Sequence, residues 1–79
     1  MDNETPDAYT RAVARILTDA KKKSGKSFTA LATDTGLGRA TVVRLLAGER
    51  DINIGYLRAL SAALDLDAAT VLNDADKHV

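Results

Sequence analysis

Apolar residues recur at intervals of three and four positions along almost the whole chain, and this spacing limits the fold more than any other feature. It places apolar side chains on one face of an α-helix, whereas a half-buried strand requires strict alternation of apolar and polar residues. β-branched residues nowhere alternate with polar ones over four or more positions. The sequence therefore predicts an all-α fold.

Five helices are predicted from the interruptions of this periodicity and from the residues suited to cap a helix. Thr5 followed by Pro6 is typical of an N-cap with proline at the first helical position, and Asn53 and Asp67 are suitable caps further along. The predicted helices span about residues 6–23, 28–35, 39–47, 54–64 and 68–72. Residues 1–5 and the tail 73–79 are predicted to be flexible.

A single domain over residues 1–79 is predicted, because a chain of 79 residues is near the small end of what folds without crosslinks and its apolar residues must share one core. The absence of cysteine excludes a disulfide framework and a thiolate metal site. The one histidine, His78, has no partner ligand nearby in the sequence. We therefore expect packing alone to hold the domain, with no metal and no cofactor.

No arrangement of residues points to catalysis. Residues 24–27 match the end of a phosphate-binding P-loop, but Ala20 stands where its first glycine is required and no strand precedes it. Asp65 and Asp67 are better interpreted as helix caps than as an acid and base pair. Because no nucleophile, base and orienting group can be assembled, we predict that the chain is not an enzyme.

The chain is predicted to be soluble and cytoplasmic. No apolar run approaches the roughly 18 residues of a membrane span. The acidic start, residues 1–7, lacks the basic and then apolar layout of a secretory signal. No contact with a membrane is expected.

Charge is distributed unevenly although the formal net charge at pH 7 is zero. Residues 1–7 hold three acidic residues and no basic one, whereas residues 8–50 hold nine basic residues against three acidic ones. Residues 51–79 hold five aspartates against two basic residues. The basic charge is thus concentrated in the middle of the chain, as a surface that binds phosphates requires.

The segment from about Phe28 to Ala47 has the spacing of a helix-turn-helix. Two helices that meet at about 90 to 120° need a small residue where their backbones approach, here Ala32, and a glycine in the turn, here Gly36. Apolar side chains then fill the corner between the helices. These are Leu31, Leu37, Val42 and Leu45.

The stretch FTALATDTGLGRATVVRLLAGERDINIGYLRALSAALDL resembles the phage repressor and Cro-like helix-turn-helix family, called XRE, and the resemblance covers about Ile16 to Leu72. It implies a five-helix domain of the lambda repressor-like type that binds operator DNA, usually as a dimer, and that acts as a repressor, activator, restriction control protein or antitoxin. By position, the resemblance places base contacts at Arg39, Ala40, Val43 and Arg44. It places Thr41 near phosphate or base.

Three positions depart from the family pattern. Phe28 stands where members often have a glutamine that touches phosphate and braces the recognition helix. Gly38 replaces the usual serine or threonine cap of that helix, and Leu46 replaces a frequent glutamate. These departures affect the phosphate contacts and not the turn.

The residue types on the presumed reading face suit DNA recognition without the resemblance. Arg39 and Arg44 lie on about the same side of the third helix, and an arginine fork donates two hydrogen bonds to guanine in the major groove. Ala40, Thr41 and Val43 offer small or apolar groups to a thymine methyl. The alternative interpretation of both arginines is a solvated helix face.

Phosphate contacts are predicted around the same unit. They come from the backbone at the start of the second helix and from polar and basic side chains beside it. The predicted residues are Lys26, Ser27, Thr29, Thr41 and Arg50. Lys21, Lys22 and Lys23 are interpreted as a solvated last turn that suits the helix dipole, with phosphate contact as the less favoured alternative.

We predict a sequence-specific regulator of transcription that binds double-stranded DNA, a repressor of phage or mobile-element type that occludes an operator. One short helix reads few base pairs, so a homodimer is expected, formed through helix 5 and nearby Leu66, Val71 and Leu72. The alternative is an antitoxin or anti-regulator that keeps the helix-turn-helix as a scaffold and binds a protein partner through its acidic C-terminal part.

Overall fold

A computed structural model describes residues 7–78 of the chain, which form five α-helices and, within that range, no strand. The helices are α1 (Ala8–Ser24), α2 (Phe28–Thr35), α3 (Arg39–Leu46), α4 (Ile54–Ala63) and α5 (Ala68–Asp76). The predicted all-α, five-helix architecture is confirmed.

Helix α1 begins at Ala8 and is capped by Asp7, whose carboxylate accepts a hydrogen bond from the Thr10 backbone N–H at 2.8 Å. This hydrogen bond lowers the pKa of Asp7 below its ordinary value, because it stabilises the charged carboxylate. The sequence had favoured Thr5 as the cap, two residues too early. Thr5, Pro6 and the segment predicted to be flexible, residues 1–5, lie outside the described residues.

Helix α5 continues to Asp76, so the predicted end at Leu72 is wrong. Val71 and Ala75 lie one helical turn apart and are 1% and 0% exposed, because this face of α5 packs against α1. The Tyr9 hydroxyl also donates a hydrogen bond to the Leu72 carbonyl at 3.1 Å. Residues 73–76, which were expected to belong to a flexible tail, are therefore helical, and Ala75 packs this part of α5 into the core.

One apolar core receives side chains from all five helices. Its largest fully buried members are Leu17, Leu31, Val42, Leu45, Leu60 and Val71. Ile54 lies in the first turn of α4 and is 74% exposed, whereas Leu57 and Leu60 of the same helix are buried. The core thus forms without disulfide bonds, by packing of the five helices.

Helix α1 is the longest helix, with 17 residues, and its outward face carries charged side chains such as Arg15 and Asp19. In the range 7–78, no helix combines the length and apolar character needed to cross a membrane.

Candidate nucleic-acid interface

The turn between α2 and α3 is built as the sequence predicts. Gly36 ends α2 with φ 75° and ψ 8°, and its N–H donates to the Ala32 carbonyl at 2.9 Å. This left-handed conformation costs a residue with a Cβ about 1 to 2 kcal/mol, which explains the glycine. The bounds predicted for α2, 28–35, are confirmed.

Side chains on both sides of the turn fix its angle. Leu31 of α2 and Val42 and Leu45 of α3 are fully buried, while Leu37 between the helices is half-buried against them. The Thr35 hydroxyl donates to the Leu31 carbonyl at 2.7 Å and accepts from the Leu37 backbone N–H at 3.2 Å. The role of Thr35 was not predicted, although a threonine just before a turn glycine is a typical place for such a bond.

Helix α3 separates its residues onto two faces. Val42, Leu45 and Leu46 are buried, and the Thr18 hydroxyl of α1 donates to the Leu46 carbonyl at 2.7 Å. Of the four residues predicted to contact bases, Arg39, Ala40 and Arg44 are exposed and Val43 is half-buried. The structure therefore brings all four to the outer side of one helix, and neither arginine side chain is buried in the protein.

The first turn of α3 has no side-chain cap. Gly38 occupies the N-cap position with φ −67° and ψ 147°, a conformation open to any residue, and no side chain accepts a hydrogen bond from the free N–H groups there. Thr41, predicted to contact phosphate, is half-buried in the same turn.

Two aromatic rings lie beneath basic side chains of this region. The Lys21 ammonium nitrogen is 4.3 Å from the centroid of the Phe28 ring, and the Arg39 guanidinium carbon is 5.8 Å from the same centroid. The Arg50 guanidinium carbon is 5.3 Å from the Tyr56 ring centroid, and Arg50 donates a hydrogen bond to the Tyr56 hydroxyl at 3.1 Å. All three contacts have the geometry of cation–π contacts.

The sequence did not predict the contacts of Phe28 with these cations. Phe28 is half-buried and packs against the core on one side while the cations approach it. Lys21 and Phe28 are seven residues apart across a loop, and no helical spacing relates them. The contact depends on the path of the loop between α1 and α2, residues 25–27, which the spacing of the sequence does not predict.

Lys26, predicted to contact phosphate, already has partners in the protein. Its ammonium group donates to the Asp34 carboxylate of α2 at 3.1 Å and to the Ala63 carbonyl at the end of α4. Ser27 and Thr29, at the start of α2, are exposed, as is Arg50 after α3. The Ser27 hydroxyl accepts from the Ala30 backbone N–H at 3.0 Å, so it acts as the N-cap of α2.

The charged residues of α2 and α3 are either basic or paired with a basic residue. Helix α3 contains no acidic residue, and the single acidic residue of α2, Asp34, is paired with Lys26. Of the five aspartates in residues 51–79, Asp51 lies in the loop after α3, beside Arg50, and the other four lie after the end of α4, at the start of α5 and within α5. The exposed face of α3 therefore presents its arginines with no carboxylate on the same helix.

The two-helix unit has a glycine turn, and its second helix is buried on one side and basic on the other. These features define a class of protein, namely DNA-binding regulators that use a helix-turn-helix.

The comparisons with known proteins agree with this class. The model of the family described as helix-turn-helix matches residues 17–71, and the chain belongs to that family, of the XRE type. The crystal structure of the clp gene regulator ClgR from C. glutamicum is similar in fold, with a TM-score of 0.79 and 21% sequence identity. The similarity covers 91% of this chain and 92% of that one.

Proposed function

We propose that the protein is a sequence-specific regulator that binds double-stranded DNA through α3 and represses transcription by occluding an operator. The observation that carries this proposal is the exposure of Arg39 and Arg44 on the outer side of a helix whose opposite side is fixed in the core. A helix held in this way enters the major groove as a rigid element.

Base reading is assigned to the outer side of α3. Arg39 and Arg44 supply two guanidinium forks, each able to bind guanine O6 and N7, while Ala40 and Val43 offer methyl groups to thymine. A half-site that contains guanine and thymine at fixed spacing follows from this assignment. Each pair of an arginine and a guanine contributes about 1 to 3 kcal/mol of discrimination between bases.

Phosphate binding is assigned to groups at both ends of the unit. Ser27 and Thr29 lie at the N-terminus of α2, where backbone N–H groups favour an anion, while Thr41 lies in the first turn of α3 and Arg50 follows that helix. Lys26 is left out of the assignment, because its ammonium group would have to leave Asp34 and the Ala63 carbonyl to reach a phosphate.

A homodimer is proposed because one helix of eight residues reads too few base pairs for an operator. The exposed candidate for the subunit contact is Leu72 on α5, which is 37% exposed. Leu66 is half-buried against the core, and Val71, which the sequence had placed on this surface, is fully buried and serves the core of its own subunit.

Selection of bound sequences from a random duplex library tests the proposal. We expect enrichment of a palindromic site that contains guanine, and a dissociation constant that rises steeply with salt. A chain that uses the fold only as a protein-binding scaffold would be retained on no duplex, and this result would refute the proposal.

Arg44→Ala, with Arg58→Ala as the matched control, separates base reading from general attraction to DNA. Arg58 is also an exposed arginine, but it lies on α4, outside the two-helix unit. We expect Arg44→Ala to weaken binding to the selected site at least fivefold and to leave binding to random duplex nearly unchanged. Equal losses for the two variants would contradict the assignment of α3. A reporter gene placed behind the selected site then tests for repression.

A further inference from the structure

Phe28 joins three helices at the edge of the proposed DNA interface. It is the first residue of α2, while Lys21 belongs to the last turn of α1 and Arg39 is the first residue of α3. The Phe28 ring packs against the core and approaches both cations. We call these three residues the Phe28 cluster.

The aromatic ring is the group that orients the two cations. Within residues 7–78, neither Lys21 nor Arg39 forms an ion pair with a carboxylate. A long, exposed side chain samples many rotamers, and ordering it opposes binding. A ring face within about 6 Å attracts the cation and restricts those rotamers before DNA arrives.

The position of Arg39 makes this restriction consequential. It stands at the N-terminal end of α3, next to Gly38, where no side-chain cap fixes the first turn. The Phe28 ring therefore supplies a contact between α2 and the start of α3 that the backbone ends do not supply. Arg44, one turn further along, has no aromatic partner within the described part of the chain.

We propose that Phe28 is a positioning residue for DNA binding, which holds Arg39 ready to read a base and Lys21 ready to bind the neighbouring phosphate. This inference rests on the proposed function, and it adds α1, through Lys21, to the DNA interface. Lys22 and Lys23 of the same turn do not take part in the cluster.

A double-mutant cycle with Phe28→Leu and Arg39→Ala tests the role of the ring. We expect Phe28→Leu to weaken binding to the selected site about three- to tenfold, as the cost of ordering a released side chain on binding implies, and Phe28→Tyr to remain within about twofold of wild type. In the Arg39→Ala background the same change should cost markedly less. An equal loss in both backgrounds would show a merely structural role and overturn the proposal.

Lys21→Ala tests the second half of the proposal without touching the core, and it decides the matter if Phe28→Leu does not fold. We expect affinity to fall about threefold and the salt dependence to decrease by about 0.9 in slope, the value of one phosphate contact. Lys23→Ala, an exposed lysine in the same turn, is the matched control and should have a smaller effect on both. Identical results for the two lysines would remove Lys21 from the interface.

The wild-type protein distinguishes the two proposals. If it binds no duplex at all, the proposed function fails. If it binds the selected site while Phe28→Leu and Lys21→Ala bind as wild type does, only the role of the Phe28 cluster fails.

Discussion

Helices α2 and α3 are both eight residues long and follow one another across a single turn, yet they are stabilised in different ways. Helix α2 buries one residue, Leu31, and has both ends capped, by Ser27 and by Gly36. Helix α3 buries Val42, Leu45 and Leu46 and has no side-chain cap at its start. Helix α2 is thus fixed at its ends, and α3 is fixed by its buried face, which lies toward its C-terminal end.

This difference suits the roles proposed for the two helices. A helix that enters a groove must present its first turn to bases, and its N–H groups there remain available because no side chain of the protein occupies them. The helix beside it must hold the turn, and end caps do so without bulky side chains. The comparison predicts that core substitutions affect α3 most and cap substitutions affect α2 most.

The largest effect is expected from Leu45→Ala in α3. It removes a fully buried side chain from the corner of the turn and leaves a cavity, so the free energy of unfolding should fall by about 3 kcal/mol. Urea denaturation measures the loss. Arg44→Ala, on the exposed side of the same helix, is the control and should stay within about 0.5 kcal/mol of wild type. Similar losses for both would mean that α3 is not held by its buried face.

A smaller loss is expected from Gly36→Ala at the end of α2. No atom lies within 4 Å of the place that a Cβ would occupy, so the cost is the left-handed backbone alone, about 1 to 2 kcal/mol. Gly36→Asn should cost less, because asparagine tolerates this conformation. Thermal unfolding followed by circular dichroism distinguishes the two, and equal melting temperatures for them would argue against backbone strain as the cause.

Ser27→Ala removes the cap at the other end of α2. The Ala30 backbone N–H loses its acceptor, and the free energy of unfolding should fall by about 1 kcal/mol. This corresponds to a decrease of roughly 4 to 8 °C in melting temperature for a domain of this size. Ser27→Asp retains an acceptor oxygen and should restore most of the loss. No difference between alanine and aspartate would mean that the cap contributes little.

Gly38→Ser gives α3 the cap that α2 already has, and so reduces the contrast between the helices. A new Cβ would meet the Thr41 hydroxyl oxygen at 3.8 Å, an ordinary contact, and the backbone there suits any residue. We expect a gain of about 0.5 kcal/mol, from the cap and from the reduced freedom of the unfolded chain. Differential scanning calorimetry checks the gain, and a lower melting temperature would show that the glycine is needed for another reason.

The fold was largely predictable because periodicity and glycines report directly on local structure. The bounds of α2, the start of α3 at Arg39 and the turn at Gly36 follow from spacing alone. The end of α5 was missed because Ala75 contributes little to an apolar pattern even though it is fully buried. A small residue therefore indicates burial poorly in a sequence, although it can be fully buried where helices pack closely.

The candidate site was predictable in its outline and not in its contacts. The exposure of Arg44 follows from its helical position opposite Val42, whereas Arg39, three residues before Val42, is exposed at the first position of the helix. The partners of Lys26 lie eight and 37 residues away, on α2 and at the end of α4, so only the tertiary structure brings them together. Contact of the predicted interface residues with DNA stays a prediction, as do the dimer, repression and a phage or mobile-element origin.

The ion pairs of the described residues have a practical consequence for handling the protein. Lys26 pairs with Asp34 and Lys77 pairs with Asp74, and both pairs are partly exposed. Pairs of this kind contribute at most about 1 kcal/mol each to the free energy of unfolding. Screening them with added salt should therefore destabilise the fold little. We therefore expect concentrated salt to release the folded protein from a DNA column. Ionic strength then controls DNA binding reversibly.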